Sequence, residues 1–128
     1  PLSVRQKDIE IRGHAMECRI NAEDPAHHFR PCPGVIEAIH LPGGNGVRID
    51  TAAYNGYEIP PFYDSMIAKV IVHGRTRQEA IDKMRSTLGE LIIDGVTTNV
   101  DFQYEILDNE DFQAGEITTD FIPMHFNL

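Results

Sequence analysis

Residues 63–73 carry two interleaved apolar rows, and this feature most limits how the chain can fold. Met66, Ala68, Val70 and Val72 alternate with Ile67, Lys69, Ile71 and His73. Successive side chains on a strand point to opposite faces, so both faces here are substantially apolar and the run predicts the central strand of a sheet. Residues 13–21 supply a one-faced companion. His14, Met16, Cys18 and Ile20 fall on one side, and Ala15, Glu17, Arg19 and Asn21 on the other. Between these two runs, residues 22–34 hold three prolines and a glycine and predict a loop. Residues 35–40 and 47–51 flank Leu41-Pro42-Gly43-Gly44-Asn45-Gly46 and predict a hairpin.

Helix signals follow the central strand. Thr76 with Glu79 three residues later predicts a capping box, ahead of an apolar stripe of Ala80, Ile81, Met84 and Leu88. Glu79 and Lys83 are spaced for an i, i+4 pair. Leu91-Ile92-Ile93 predicts a short strand closed by an Asp94-Gly95 turn. A second helix starts near Thr98 or Asn99 and is expected to bury Val100, Tyr104 and Leu107. The tail from Asp108 is polar, then ends in spaced aromatics, Phe112, Phe121 and Phe126. With no repeat or linker, residues 1–128 read as one α+β domain, an antiparallel sheet with two helices.

Composition bounds the function. A chain of 128 residues buries roughly two-thirds of its unfolded surface, enough for a core without disulfides or a structural metal. Eleven basic against twenty acidic side chains give a net charge of −9. With no surplus of cations, a nucleic-acid or anionic-membrane surface is excluded. The longest purely aliphatic runs are Val70-Ile71-Val72 and Leu91-Ile92-Ile93, far short of a bilayer span. The two cysteines, Cys18 and Cys32, predict free thiols in a reducing, cytoplasmic compartment. The chain starts at Pro1 without a signal-peptide pattern and is expected to be a piece of a longer polypeptide.

Among candidate chemical groups, Arg19 stands out. An arginine in mid-strand beside Glu17 and Asn21 can hold its planar fork rigidly towards a cleft; the plain alternative is a solvated sheet face. Asp64, in Tyr63-Asp64-Ser65, is either a turn residue or a carboxylate that positions a cation, with Arg19 the obvious partner. Lys69 snorkels from the sheet edge. The glycine-rich run 42–46 reads as a turn and not a phosphate cradle, because no Lys-Ser/Thr follows and no helix opens there. His27, His28 and Cys32 lack a second ligand pair at zinc spacing and read as loop residues. Cys18, on the apolar side of its strand, reads as an inert buried thiol. No complete catalytic set can be assembled from these residues.

The residues Gly13-His14-Ala15-Met16-Glu17-Cys18-Arg19-Ile20-Asn21-Ala22-Glu23-Asp24-Pro25 closely resemble the opening of the C-terminal domain of biotin carboxylases. The resemblance continues through Pro33-Gly34, Pro42 to Arg48, and Pro60-Pro61-Phe62-Tyr63-Asp64-Ser65-Met66-Ile67-Ala68-Lys69. Glu90 to Val96 and Thr98-Asn99-Val100 extend it, so that it runs from about Pro1 to Phe126 in family order. It implies a part in the ATP-, magnesium- and bicarbonate-dependent carboxylation of biotin carried on a carrier protein. Arg19 takes the position that contacts the ureido oxygen of biotin. Deprotonating the ureido nitrogen leaves negative charge on that oxygen, which a fixed guanidinium stabilises. Asp64 is expected on the same side, orienting Arg19. Arg48 matches an arginine of the dimer interface, and Asn45 stands where some relatives have an aromatic anchor, which weakens the expected homodimer. Thr119 and Asp120 match the stretch along the nucleotide pocket.

The same resemblance implies that the amino-terminal and ATP-grasp domains lie outside these residues. With them go the lid, the phosphate loop, the metal-binding carboxylates and the bicarbonate site. ATP and magnesium are therefore expected to be held mainly by the absent ATP-grasp domain, and the chain alone to be inactive. The expected partners are the rest of the biotin carboxylase chain, the biotin carboxyl carrier protein and a second copy of the enzyme. The leading expectation is the biotin carboxylase subunit of a bacterial acetyl-CoA carboxylase, serving fatty-acid synthesis. The alternatives are the same domain of a pyruvate, propionyl-CoA or urea carboxylase, or a non-catalytic module that docks a biotinylated carrier.

Overall fold

The computed structural model describes residues 1–127. Among them run strands β1 (His14–Asn21), β2 (Glu23–Asp24), β3 (Arg30–Pro31), β4 (Gly34–Val35), β5 (Ala38–His40), β6 (Val47–Thr51), β7 (Glu58–Ile59) and β8 (Met66–Gly74). Helix α1 (Arg77–Glu90), strand β9 (Ile92–Asp94) and helices α2 (Val100–Asp108), α3 (Glu110–Ala114) and α4 (Phe121–His125) complete the order. The fold is α+β with antiparallel pairing throughout, as expected. The two expected helices are joined by two more, α3 and α4, five residues each, formed by the tail.

The doubly apolar run forms β8, and β8 is central: it pairs with β1 on one side and β6 on the other. Its inner row, Ala68, Val70 and Val72, is buried together with Cys18 and Ile20 of β1. The α1 stripe of Ala80, Ile81, Met84 and Leu88 covers this face, every one of the four almost wholly buried. Each fully buried residue of the size of Ile81 or Met84 contributes roughly 1.5–3 kcal/mol. The outer row is buried only at Ile67, where the strand begins; beyond it Lys69 and Ile71 are half-buried and His73 is exposed. One side of the three-stranded sheet is thus a core and the other is open.

The expected hairpin does not form. β5 pairs with β9, through Ile39 opposite Ile93, and β6 pairs with β8 instead. The intervening glycines serve as a crossing between two sheets. Gly46 has φ +73, and a Cβ there would stand 2.6 Å from the His73 carbonyl oxygen and 2.7 Å from Lys83 Nζ. Only glycine lets the crossing lie this close to the end of β8.

Local side-chain bonding also departs from expectation. Thr76 caps α1, its Oγ1 accepting from the Glu79 N–H at 3.1 Å, but Glu79 reaches past the cap to Arg75. Lys83 leaves Glu79 and donates to the His73 carbonyl at 2.7 Å. In α2 the buried residues are Phe102 and Leu107, while Val100 and Tyr104 pack half-buried against the core. The predicted loop 22–34 contains the β2–β3 ribbon, closed by a turn that Asp24 caps.

Candidate functional site on the open face of the sheet

The open face presents the side chains of β1, β8 and β6 that alternate with the core. One row across the sheet is Arg19, Lys69 and Asp50; the next is Glu17, Ile71 and Arg48. Arg19 directly opposite Lys69 places two cations on neighbouring strands, an arrangement that destabilises a sheet. The third member of the row does not engage Arg19: Asp50 accepts from Arg48 Nη2 at 2.9 Å.

The guanidinium of Arg19 is held only softly. Its Nε and Nη2 hydrogens both point at the Met66 sulfur, each nitrogen 3.4 Å away. A thioether is a weak acceptor, so the fork keeps most of its donor capacity. Every other arginine has oxygen partners. Arg5, Arg12, Arg30, Arg48, Arg75 and Arg85 pair with carboxylates, and Arg77 donates to the carbonyls of Phe112 and Gln113. Among the described residues, Arg19 alone of the eight arginines lacks an oxygen acceptor.

Beneath this soft side chain lies a firmly held backbone. Asn99 is buried, 4% exposed, and its side chain turns towards β1. Its Oδ1 accepts from the Asn21 N–H at 2.9 Å, and its Nδ2 donates to the Arg19 carbonyl at 3.1 Å. The Asn99 N–H donates to the Asn21 carbonyl at 3.1 Å. Gln103 Nε2, one helical turn on, reaches the same Arg19 carbonyl at 3.5 Å.

Asp64 and Arg19 are connected only through Met66. The Asp64 carboxylate accepts from the Met66 N–H at 2.8 Å, closing a turn at the entrance of β8, and the Met66 sulfur lies against Arg19. Met66 and Lys69 also line a shallow cavity of about 320 Å³ with Asp50, Thr51, Ala53 and Tyr57. The other residues singled out from the sequence lie elsewhere. Arg48 is on the opposite edge strand, and Asn45 is exposed in the crossing before it. Thr119 and Asp120 are exposed just before α4; the neighbouring Thr118 lines an apolar groove between the outer edge of β1 and the carboxy-terminal helices. Cys18, on the core side under Arg19, has its thiol pushed up to about 12 by burial and then by the charge of Glu17. His27 pairs with Asp24 at 2.7 Å, and among the described residues no cluster of His, Cys, Asp and Glu could hold a metal ion.

Met66 and Asn99 lie within the motifs that carry the resemblance, but nothing in their residue type or spacing marks either as a site residue. Met66 looks like one more member of an apolar row, and an asparagine ahead of a helix looks like a cap. Only its failure to cap, visible in three dimensions, marks Asn99 out.

Residues 17–124 match the family model described as the biotin carboxylase C-terminal domain. Biotin carboxylase 1 of Bacillus subtilis is 53% identical over 121 residues, covering 94% of this chain and 27% of that protein. A pyruvate carboxylase subunit from Methanothermobacter thermautotrophicus is 56% identical over 121 residues, 94% of this chain and 25% of the other. Among solved structures, the biotin carboxylase domain dimer of Hydrogenobacter thermophilus 2-oxoglutarate carboxylase, in complex with MgADP, ADP and bicarbonate, superposes with a TM-score of 0.95. It is 44% identical, with 97% of this chain and 27% of that one covered. The chain thus spans about a quarter of the length of the relatives it matches.

Proposed function

The chain belongs to the biotin carboxylase C-terminal domain family, and on that premise we propose that residues 1–128 are one domain of a longer cytoplasmic biotin carboxylase. Its task there is to present Arg19 to biotin carried on a carrier protein. The observation that carries this reading is the uncommitted guanidinium of Arg19, the one arginine without an oxygen acceptor among the described residues. Loss of the ureido proton puts negative charge on the ureido oxygen. A guanidinium with free donors, preset on a strand, stabilises that charge more than it stabilises the neutral ground state. Lys69 opposite adds positive potential to the same patch. Asp64 orders the entrance of β8 and so holds the Met66 sulfur against Arg19.

ATP, magnesium and bicarbonate are held mainly by the remainder of the protein, with Thr119 and Asp120 bordering the nucleotide. Arg48 and Asn45 take part in a homodimer interface. The 128-residue chain alone releases no ADP from ATP with bicarbonate and biotin.

The leading parent is the biotin carboxylase component of an acetyl-CoA carboxylase in fatty-acid synthesis, in line with the named biotin carboxylase relatives. The similarity to the archaeal pyruvate carboxylase protein favours a second parent, a pyruvate-type carboxylase with the same domain. Assaying the reconstituted full-length enzyme with acetyl-CoA and with pyruvate separates the two. The test of the shared reading is Arg19→Ala in the full-length chain. Carboxylation of free biotin is expected to fall by about 10²–10³, the usual effect of removing one preset donor, with the KM for ATP unchanged. Undiminished carboxylation would overturn it.

A further inference from the structure

Arg19 sits on an edge strand, close to an irregularity in its pairing with β8. The register between β1 and β8 slips between Ile20 and Asn21, so the regular ladder is interrupted after Ile20, one residue beyond Arg19. An edge segment with a broken ladder opens readily. At the outer edge, the Arg19 carbonyl and the Asn21 N–H point away from β8 and would face water. Asn99 takes both. Its carboxamide bridges them as one residue of an added strand would, and its own N–H takes the Asn21 carbonyl, giving three bonds between 2.9 and 3.1 Å.

Asn99 does this in place of the role its position suggests. It precedes α2 yet makes no side-chain cap, leaving the first helical N–H to Thr98 Oγ1 at 3.4 Å. A residue that leaves its local role unfilled while buried and fully bonded elsewhere marks a site under another demand.

We propose that Asn99 is a positioning residue for Arg19: by holding the Arg19 carbonyl and, across Ile20, the Asn21 N–H, it fixes the backbone from which the guanidinium extends. The inference rests on the biotin-facing reading of Arg19. Among the described residues the guanidinium donates only to the Met66 sulfur, so the direction of the side chain is set mainly by the backbone that carries it. A small rotation at Cα, carried along the length of an arginine side chain, moves the donors off the oxygen on which charge develops. The nucleotide-binding groups of the full-length enzyme feel none of this.

The test is a double-mutant cycle in the full-length enzyme, with free biotin, MgATP and bicarbonate as reactants. Asn99→Asp keeps an oxygen acceptor for the Asn21 N–H and removes the donor to the Arg19 carbonyl; Asn99→Ala removes both. With Asn99→Asp, kcat/KM for biotin is expected to fall about tenfold, with the KM for ATP within about twofold of the parent. In an Arg19→Ala background the same substitution is expected to change biotin kinetics by less than about twofold, because the group it positions is gone. An equal fall in both backgrounds overturns the proposal, as does a parallel rise in the KM for ATP or no fall at all. Failure of both Asn99 variants to accumulate as folded enzyme would assign the residue to the fold alone and also overturn it. Full biotin carboxylation by Arg19→Ala itself would instead remove the reading on which the proposal stands.

Discussion

Asn99 and Asn109 occupy the same position relative to a helix, and the molecule uses them in opposite ways. Asn109 precedes α3 with extended backbone, φ −70 and ψ 130, and its Oδ1 accepts from the N–H groups of Asp111 and Phe112 at 3.0 and 3.1 Å. Asn99 precedes α2 with φ −89 and ψ 14, leaves the first helical N–H to Thr98 Oγ1 at 3.4 Å and binds β1, 78 and 80 residues earlier in the chain. The helix that keeps its cap has only five residues and depends on it. The helix that Asn99 does not cap has nine residues, draws a bond from Thr98 and buries Phe102 and Leu107, so it holds without help from Asn99. One side chain serves its neighbours in sequence, and the other serves the strand that carries Arg19.

The largest effect that could break this contrast is on stability. Asn99→Ala leaves the part-buried Asn21 N–H without its partner and the Arg19 carbonyl with only the longer bond from Gln103, and is expected to cost about 2–3 kcal/mol. Asn109→Ala removes an ordinary cap and is expected to cost about 1 kcal/mol. Urea unfolding of the 128-residue chain measures both, and equal losses would erase the distinction.

Cysteine labelling locates the difference. At pH 8 the half-buried Cys32 is expected to react with an aromatic disulfide reagent, while Cys18 stays protected. Burial, then the charge of Glu17, lifts the Cys18 thiol to about 12, so its protonated form is favoured by folding. That contribution is intact below the ordinary thiol range and is lost as pH rises towards 12. Labelling of Cys18 at pH 8 therefore reports opening of β1. Asn99→Ala is expected to speed it several-fold more than Asn109→Ala; identical rates would mean that Asn99 does not hold this strand.

Much of the frame was legible because its signals are periodic and local. The double apolar row of β8, the one-faced pattern of β1 and the α1 stripe each follow from spacing alone. The failed hairpin shows the limit. Nothing within residues 35–51 says that β5 prefers β9, more than fifty residues downstream, or that β6 prefers β8; those pairings are settled by which apolar faces meet in the packed core. The site divides in the same way. Arg19 was visible as an arginine in mid-strand within a family-like motif. Its distinguishing property, the absence of an oxygen acceptor, depends on where every other carboxylate and carbonyl comes to rest. Asp64 was placed near Arg19 in expectation, but the turn it closes at Met66 makes the connection indirect. Asn99 was hidden behind a correct local rule that the molecule does not follow there.

Thr76 gives the smallest and finest test, because α1 is capped by the ordinary rule and then extended by one residue. Thr76 Oγ1 accepts from the Glu79 N–H, while Glu79 Oε2 accepts from both the N–H and Nε of Arg75 at 3.2 and 3.1 Å. The side-chain bond from Arg75, and next its backbone N–H, hold the Glu79 carboxyl below its usual range. A lowered folded value means that the stabilisation is present above the ordinary glutamate range and fades as pH falls through the folded value. Glu79→Gln is therefore expected to lower the urea midpoint slightly at pH 7 and to approach the parent as pH falls through the folded value of the Glu79 carboxyl. The ion pair is exposed, so added salt should shrink the gap at pH 7 as well. A gap that survives both acid and salt would show that the hydrogen bonds to Arg75 act without the charge. Glu79 would then resemble Asn109, a neutral cap, and the asparagine contrast would have a third member on the side of local bonding.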